Sequence, residues 1–470
     1  MSRPAMQFID REKELAALEK AWQGDEAQLL VIYGKRRVGK TELIKQFIRD
    51  KPHVYFLSQR VNDIDNRRWL AELAAEHFKD DFLRTTGFAD WRAFFQYGRD
   101  RIRTRTVLAI DEFPYLAESE KGLPSIFQAG WDEYLRKTPV FLILCGSSIA
   151  MMESDVLAEK SPLFGRRTGQ IQLKPFRFAE ARRFFPRASF DRCLELYALA
   201  GGNPSYLKRL DPDRSVLDNI IAQVLPPEAF LAREVEFLLR EELREPRNYF
   251  AILKAIAFGK SKIGEIVNDT GLDKGILHRY LFTLDDLQVI YKEVPVTERL
   301  PLKSRKGLYR IQDQFIKFWF RHILPNRTSI EEGRVERLVP RLESDFPALV
   351  AENYERLAAD IVRAHEDLFF PMDAVGRWWN REEEIDVAAT NEERREILLG
   401  EAKWSLRPVG TDVFRDLKRK APLVDWHDGE RTERFCLFSR SGFTKDMREL
   451  ARRERVVLFH KDQKVDLHLT

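Results

Sequence analysis

Three cysteines in 470 residues, Cys145, Cys193 and Cys436, are too few and too scattered for a disulfide framework or a paired-cysteine zinc site. Such sparse usage fits a reducing compartment. No uninterrupted apolar run approaches the roughly 20 residues that a membrane helix needs, which excludes an integral membrane protein. The chain passes from Met1 to Phe8 straight into Asp10-Arg11-Glu12-Lys13-Glu14, without the apolar core of a secretion signal, so a cytoplasmic location is expected. Internal repeats and low-complexity tracts are also lacking. A strong charge of one sign is missing too: 79 basic against 75 acidic side chains leave +4. That balance argues against a dedicated nucleic-acid coat and leaves room for local basic patches.

What is present suits a multidomain globular protein. With 44% hydrophobic and 33% charged residues, the chain can bury cores throughout, and its length predicts about three domains. Leu29–Tyr33, Thr106–Ile110 and Val140–Leu144 are short, continuous, β-rich apolar runs separated by helical stretches. That pattern predicts a parallel sheet covered on both faces. From Pro175 to Leu239 the period is helical, punctuated by Asn203-Pro204 and Pro226-Pro227. The last part returns to mixed structure, with strands expected at Leu368–Phe370, Glu384–Ala389, Ile397–Leu399, Phe435–Phe438 and Arg455–Phe459. Expected domains are 1–240, with a helical lid over about 175–240, then 241–315 and 316–470.

Gly34-Lys-Arg-Arg37-Val-Gly39-Lys40-Thr41-Glu42 follows an expected strand and opens an expected helix, the context of a phosphate-binding loop. Gly34 and Gly39 let backbone N–H groups wrap phosphates, with Arg37 and Glu42 inside and beside the loop. The helix N-terminus favours the anion. Lys40 is expected on the β- and γ-phosphates of ATP and the Thr41 hydroxyl on Mg²⁺. Thr106–Ile110 ends in Asp111-Glu112, which suits Asp111 as a further Mg²⁺ ligand and Glu112 as the base that polarises water. Gly146-Ser147-Ser148 ends a neighbouring strand, either as a γ-phosphate sensor or as a plain loop start. Arg166 and Arg167 offer guanidinium groups for developing phosphoryl charge, from the same or a neighbouring subunit; a solvated basic loop is the other reading.

These elements, together with Phe8-Ile-Asp-Arg11-Glu12-Lys-Glu14-Leu15, Gly165-Arg166 and Gly201-Gly202-Asn203-Pro204, resemble the archaeal-type ATPases, P-loop NTPases related to the AAA+ and STAND classes. The resemblance covers roughly residues 5–240. It implies that Arg11 and Glu12 lie close to the nucleotide base and that Pro204 contacts nucleotide from the lid. It also implies ATP/ADP binding, and a homo-oligomer if Arg166 or Arg167 acts on a neighbour.

Residues 246–311 read as three helices and a hairpin, the outline of a winged helix. Lys274, His278 and Arg279, all on the expected recognition helix Asp273–Phe282, suit a DNA major groove, and Lys303, Arg305 and Lys306 a wing near phosphates. A protein-docking module has the same outline, and Asp285-Asp286 follows the recognition segment.

Glu384-Ile-Asp386 and Ile397-Leu-Leu-Gly-Glu401-Ala-Lys403 flank the polar turn Thr390–Arg395. A hairpin there sets Asp386 beside Glu401 and Lys403, the last two on one strand face because side chains repeat every second residue. Two carboxylates can hold a divalent metal while an ammonium orients water or a scissile phosphate. This arrangement, with Glu355 on an upstream helix as a third acid, resembles the PD-(D/E)xK nucleases; Ile385 stands where many of them carry proline. Phe315–Phe320 and Val375–Trp379 further resemble the domain of unknown function that follows archaeal-type ATPases. Trp378, Trp379 and Trp404 suit either base stacking or packing beneath the sheet. His365 and His427 have no metal-pair spacing.

The expected fold class is therefore α/β: a P-loop parallel sheet with a helical lid, a winged helix, and a C-terminal α/β nuclease-like domain. Two functions are weighed. One is an ATP-hydrolysing, DNA-associated protein with a metal-dependent nuclease tail. The other is a nucleotide-controlled switch, binding DNA or protein, whose tail is inert.

Overall fold

A computed structural model describes residues 8–243 and 246–467; the start over residues 1–7, on which the cytoplasmic expectation partly rests, lies outside the described residues. Among the described residues, no helix is long and apolar enough to cross a membrane. The chain divides into two compact units. One holds the residues up to Pro186 and Gly202–Arg209; the other holds Arg187–Gly201 and the chain from Leu210 onward. The segment 175–240 is thus shared between the units, and the stretches 241–315 and 316–470 fall in the second.

In the first unit the apolar runs become β1 (Gln28–Tyr33), β3 (Thr106–Asp111) and β4 (Val140–Gly146). They form the middle of a five-stranded parallel sheet with β2 (His53–Leu57) and β5 (Gly169–Gln172), in the order β2-β3-β4-β1-β5. Strands covered on both faces need apolar residues at every position, which is why these three stood out. Alternate residues serve opposite layers. Val31, Leu108 and Leu142 pack with Trp91, Phe95 and Phe127, while Ile32, Val107 and Phe141 pack with Leu18, Leu43 and Phe47. Each such buried side chain contributes about 1.5–3 kcal/mol. The edge strands β2 and β5 are partly exposed and mix polar with apolar residues, so no hydrophobic run announced them.

The second unit contains helices Pro246–Ala257, Ile263–Thr270 and Lys274–Asp286. Gly271, at φ 68°, ends the second of these, and Asp273 caps the third through the N–H groups of Gly275 and Ile276. An antiparallel pair follows, β6 (Ile290–Glu293) with β7 (Leu308–Ile311). Phe315, Phe318, Trp319 and Phe320 are buried. The 27-residue helix Leu338–Ala364 then leads to a six-stranded sheet. Its strands are β8 (Ala374–Trp379), β9 (Glu384–Asn391), β10 (Glu396–Lys403), β11 (Thr432–Ser439), β12 (Val457–His460) and β13 (Gln463–Lys464). They are ordered β13-β12-β11-β10-β9-β8, with β10, β11 and β12 parallel and β8–β9–β10 antiparallel. Helices Thr411–Lys420 and Lys445–Glu454 supply Phe414, Leu417 and Met447 to a core with Ile385, Leu399 and Leu437.

Leu368–Phe370 is not a strand. A short 3-10 turn over Glu366–Leu368 precedes Phe369 and Phe370, which are buried as loop residues, and Pro371 follows without an N–H to give a ladder. The outermost strand in this region is β8, whose mixed sequence reflects its place at the sheet edge.

Candidate functional site

The loop from Gly34 to Thr41 joins β1 to helix Lys40–Ile48 and therefore stands at the carboxyl edge of the parallel sheet. Gly34 is required there: its φ is +150°, and a Cβ would run into the Leu173 carbonyl. The Lys40 ammonium donates to the carbonyls of Gly34 at 2.8 Å and Lys35 at 2.9 Å. Burial pulls its pKa down, against the raising influence of Glu112 and Asp111. Arg37, at φ 67°, turns the loop in a left-handed conformation.

β3 delivers the two acids. Asp111 is fully buried and satisfied by three donors: Thr41 Oγ1 at 2.6 Å, the Tyr55 hydroxyl at 2.9 Å and the Glu112 N–H at 3.0 Å. Glu112 adopts φ 56°, an αL turn that starts the next helix. Its Oε2 accepts from Ser147 Oγ at 2.7 Å and Ser147 N–H at 3.2 Å. The hard oxygens of Thr41 and Asp111 thus meet beside the phosphate loop, while Glu112 is aimed by the end of β4.

Arg11 is held inside the protein beside the loop. Only 7% exposed, it donates to the Val38 carbonyl inside the loop at 3.1 Å and to the Lys174 carbonyl at 2.7 Å. It also pairs with Glu14 at 3.1 Å and lies over the Phe176 ring at 4.1 Å. Glu12 faces Asp10 and Arg183. Pro204 stands against the loop, its Cγ 3.9 Å from where a Gly39 Cβ would project. The neighbouring Gly202 lies so close to the Phe176 backbone that no side chain fits, and its carbonyl accepts from Phe176 N–H at 2.8 Å.

The second unit holds the other constellation. The β9–β10 register pairs Gly400 with Val387, so the next step sets Glu401 opposite Asp386. Both are almost fully buried, at 3% and 5% exposure. Lys403 Nζ lies 2.6 Å from Glu401 Oε2 and 3.5 Å from Asp386 Oδ2, and the Ala402 N–H donates to Asp386 at 3.0 Å. Lys420 takes the other Glu401 oxygen at 2.9 Å. Burial and the Asp386 charge push the Glu401 pKa up. Although burial opposes it, the two carboxylates hold the Lys403 pKa above its ordinary value. Glu355, on helix Leu338–Ala364, is driven up to about 7 by burial and then by Asp386. Among the described residues, no three His, Cys, Asp or Glu side chains gather closely enough to form a metal-ligand cluster.

Residues 8–210 match a family model described as an ATPase domain predominantly from Archaea. Residues 319–412 match one described as archaea bacterial proteins of unknown function. An uncharacterized protein of Methanocaldococcus jannaschii is 37% identical over 433 residues, covering 90% of this chain and 94% of its own. The chain belongs to the archaeal-type ATPase family. An uncharacterized ATP-binding protein of the same organism is 50% identical over 44 residues, 9% of this chain and 75% of its own length. The structure of the Walker-type ATPase of Pyrococcus abyssi matches with a TM-score of 0.50 at 23% identity, over 67% of this chain and 96% of that one, a likeness of fold.

Arg166 of this archaeal-type ATPase is not brought to its own phosphate loop. Thr168 is bonded to Leu29 at the start of β1, whereas the loop follows the end of that strand. Six residues of β1 separate the two edges, roughly 20 Å at the usual strand rise. Arg166 instead pairs with Asp132 at 3.1 Å. Three participants escaped sequence reasoning. Tyr55 sits on an unrecognised edge strand, Lys420 comes from a different helix, and Arg377 on β8 reaches Glu384 at 2.9 Å and Glu355 at 3.9 Å. Trp378 is buried in the core, and Trp404 packs on Tyr354 and Phe190 beneath Arg440.

Proposed function

We propose that this ATPase is DNA-associated and that its C-terminal sheet carries a metal-dependent nuclease site of the PD-(D/E)xK type. The observation that carries the reading is the facing pair Asp386 and Glu401 with Lys403 within 3.5 Å of both. Asp386 and Glu401 would hold Mg²⁺, with Glu355 as the nearby third acid, and the metal would supply a polarised phosphate and a more acidic water. Lys403 holds positive charge where a scissile phosphate gains negative charge.

At the phosphate loop, Lys40 serves the β- and γ-phosphates, Thr41 and Asp111 hold Mg²⁺, and Glu112, aimed by Ser147, takes the proton of the attacking water. Gly34, Arg37, Gly39 and Glu42 shape or flank the cradle, with Arg11 and Pro204 bracing it. Arg166, remote from its own loop, serves a neighbouring copy in a homo-oligomer. The helices and hairpin of 246–311 act as a winged helix: Lys274, His278, Arg279, Lys303 and Arg305 are all exposed, while Lys306 is partly neutralised by Glu298 at 2.8 Å. We read the chain as ATPase and lid over 1–240, winged helix over 241–315 and nuclease-like domain over 316–470.

The test is a panel of DNA and RNA forms with Mg²⁺ or Mn²⁺ and varied nucleotide. Wild type should cut at least one form, and Asp386→Ala and Lys403→Ala should abolish cutting while ATP hydrolysis survives. No cutting of any form refutes the nuclease part. For the arginine, mixing Lys40→Ala with Arg166→Ala protein should restore ATP hydrolysis that neither has alone; no restoration refutes action on a neighbour.

One observation favours a second reading. Both Glu401 oxygens hold ammonium groups, so a metal must displace Lys403 or Lys420. A nucleotide-controlled switch with an inert tail then follows, and it predicts slow turnover and different sedimentation of the ADP and ATP forms. Identical sedimentation in both states contradicts it.

A further inference from the structure

Away from both constellations, the second unit contains a cavity of about 340 Å³, within the range of small-molecule sites. Its walls are the end of helix Pro246–Ala257 with Gly259 and Ser261, strand β7, the helical segments Gln314–Phe318 and Trp319–Ile323, and one face of helix Leu338–Ala364. Five cations line it, Arg310, Lys317, Arg321, Arg341 and Arg356, against only two acids, Asp345 and Glu352.

Those acids are already shared. Arg356 lies 2.9 Å from one Glu352 oxygen and Lys317 pairs with the other, so one carboxylate answers two cations. Burial alone would raise the Glu352 pKa, yet Arg356 and Lys317 outweigh it and hold it at about 2. Lys317 is itself pulled down by burial. Asp345 lies 3.7 Å from Arg341. Among the described residues, Arg321 has no acid within ion-pair distance. Beside it, His322 is buried with neither ring nitrogen hydrogen-bonded, and burial followed by the Arg321 charge lowers its pKa to about 4. Arg310 is answered from just outside the lining by Glu293 at 3.2 Å, so the cavity carries an excess of about two positive charges.

Excess cation in a walled space repels itself and repels metals, and a multivalent anion removes that repulsion. Guanidinium forks match phosphate oxygens in pairs, which a single carboxylate uses less fully. We propose that this cavity binds a small phosphorylated molecule, its phosphate on Arg321 and Arg341 and the Lys317–Glu352–Arg356 group as the back wall. Because the walls come from both β7 and helix Leu338–Ala364, the occupant ties the hairpin segment to the C-terminal domain.

Full-length protein carrying Lys40→Ala, which disables the phosphate loop, is titrated calorimetrically with inorganic pyrophosphate and, separately, with adenosine 5′-monophosphate. Binding of one equivalent is expected, and Arg321→Glu or Arg341→Glu in that background should weaken it about tenfold or more. Tighter binding of the nucleotide assigns the ligand a nucleoside part, whereas equal or stronger pyrophosphate binding assigns recognition to phosphate alone. ATP hydrolysis by each arginine variant with Lys40 intact reports that it is folded. Loss of all binding in Lys40→Ala, or binding unmoved by both charge reversals and by Arg321→Gln with Arg341→Gln, overturns the proposal.

Discussion

Arg11→Ala separates two roles for this arginine: bracing the phosphate loop and touching bound nucleotide. In the structure, Arg11 supplies charged donors to the Val38 carbonyl at 3.1 Å and the Lys174 carbonyl at 2.7 Å. It also covers the Phe176 ring and pairs with Glu14. A charged hydrogen bond is worth about 1.5–3 kcal/mol when its loss leaves a buried partner unanswered. The Lys174 contact is partly open to water, so its carbonyl can find a replacement and counts near the lower end. The Glu14 pair counts little, at about 0–1 kcal/mol. Together these give a loss of about 3–5.5 kcal/mol. In a unit of this size each kcal/mol lowers Tm by about 2–4 °C, so a fall of about 6–22 °C is expected. Differential scanning calorimetry on nucleotide-free protein measures it directly. A residue that only touches nucleotide would leave that transition in place and weaken ATP binding alone. An unchanged nucleotide-free Tm therefore refutes the bracing argument. Arg11→Lys should recover only part of the loss: both carbonyl bonds come from the single nitrogen Nη2, but an ammonium lacks the second nitrogen that pairs with Glu14 and the planar face that lies over Phe176.

Lys40→Ala should weaken ATP binding roughly a hundredfold in equilibrium titration, since it removes the buried ammonium of the loop; unchanged affinity would sink the nucleotide assignment. Ser147→Ala takes a 2.7 Å hydroxyl bond from Glu112 but leaves the 3.2 Å N–H bond, so kcat for ATP hydrolysis should drop by about tenfold with KM unmoved. A change confined to KM would argue that Ser147 contacts substrate. Glu355 has its pKa raised from 4.5 to about 7, so its charged form is disfavoured in the folded state. Wild type should therefore lose stability as pH rises from about 4.5 to 7, and Glu355→Gln should escape that loss. The variant's advantage is about 3 kcal/mol at pH 8 and vanishes near pH 4. Parallel denaturation curves for the two proteins across that range would show that Glu355 is not held protonated.

The parts of this protein legible in its residues are those in which local pattern and chemistry coincide. β1, β3 and β4 are covered on both faces, so each is a continuous apolar run that reads as a strand without knowledge of its neighbours. The phosphate loop is a local device as well: Gly34, Gly39, Lys40 and Thr41 are needed at fixed spacing by one turn between one strand and one helix. Period-two alternation likewise set Glu401 and Lys403 on one face, and the short polar turn after Thr390 brought Asp386 opposite them.

Tertiary structure decided what depends on partners distant along the chain. The edge strands β2 and β5 are half exposed, so only pairing with β3 and β1 makes them strands, and Tyr55 reaches Asp111 through that pairing. Leu368–Phe370 has a strand's composition yet is buried as a loop, because burial can be satisfied without a ladder. Arg11 bridges the Val38 and Lys174 carbonyls, a contact that exists only once those carbonyls converge. Arg166 was placed at the far edge of its own sheet by strand direction. The cationic cavity draws its arginines and lysine from β7, the segment after Asp313 and a helix that starts at Leu338. Each of those charges is unremarkable in its own stretch of sequence. The fold alone concentrates them, because like charges meet only where packing forces them together.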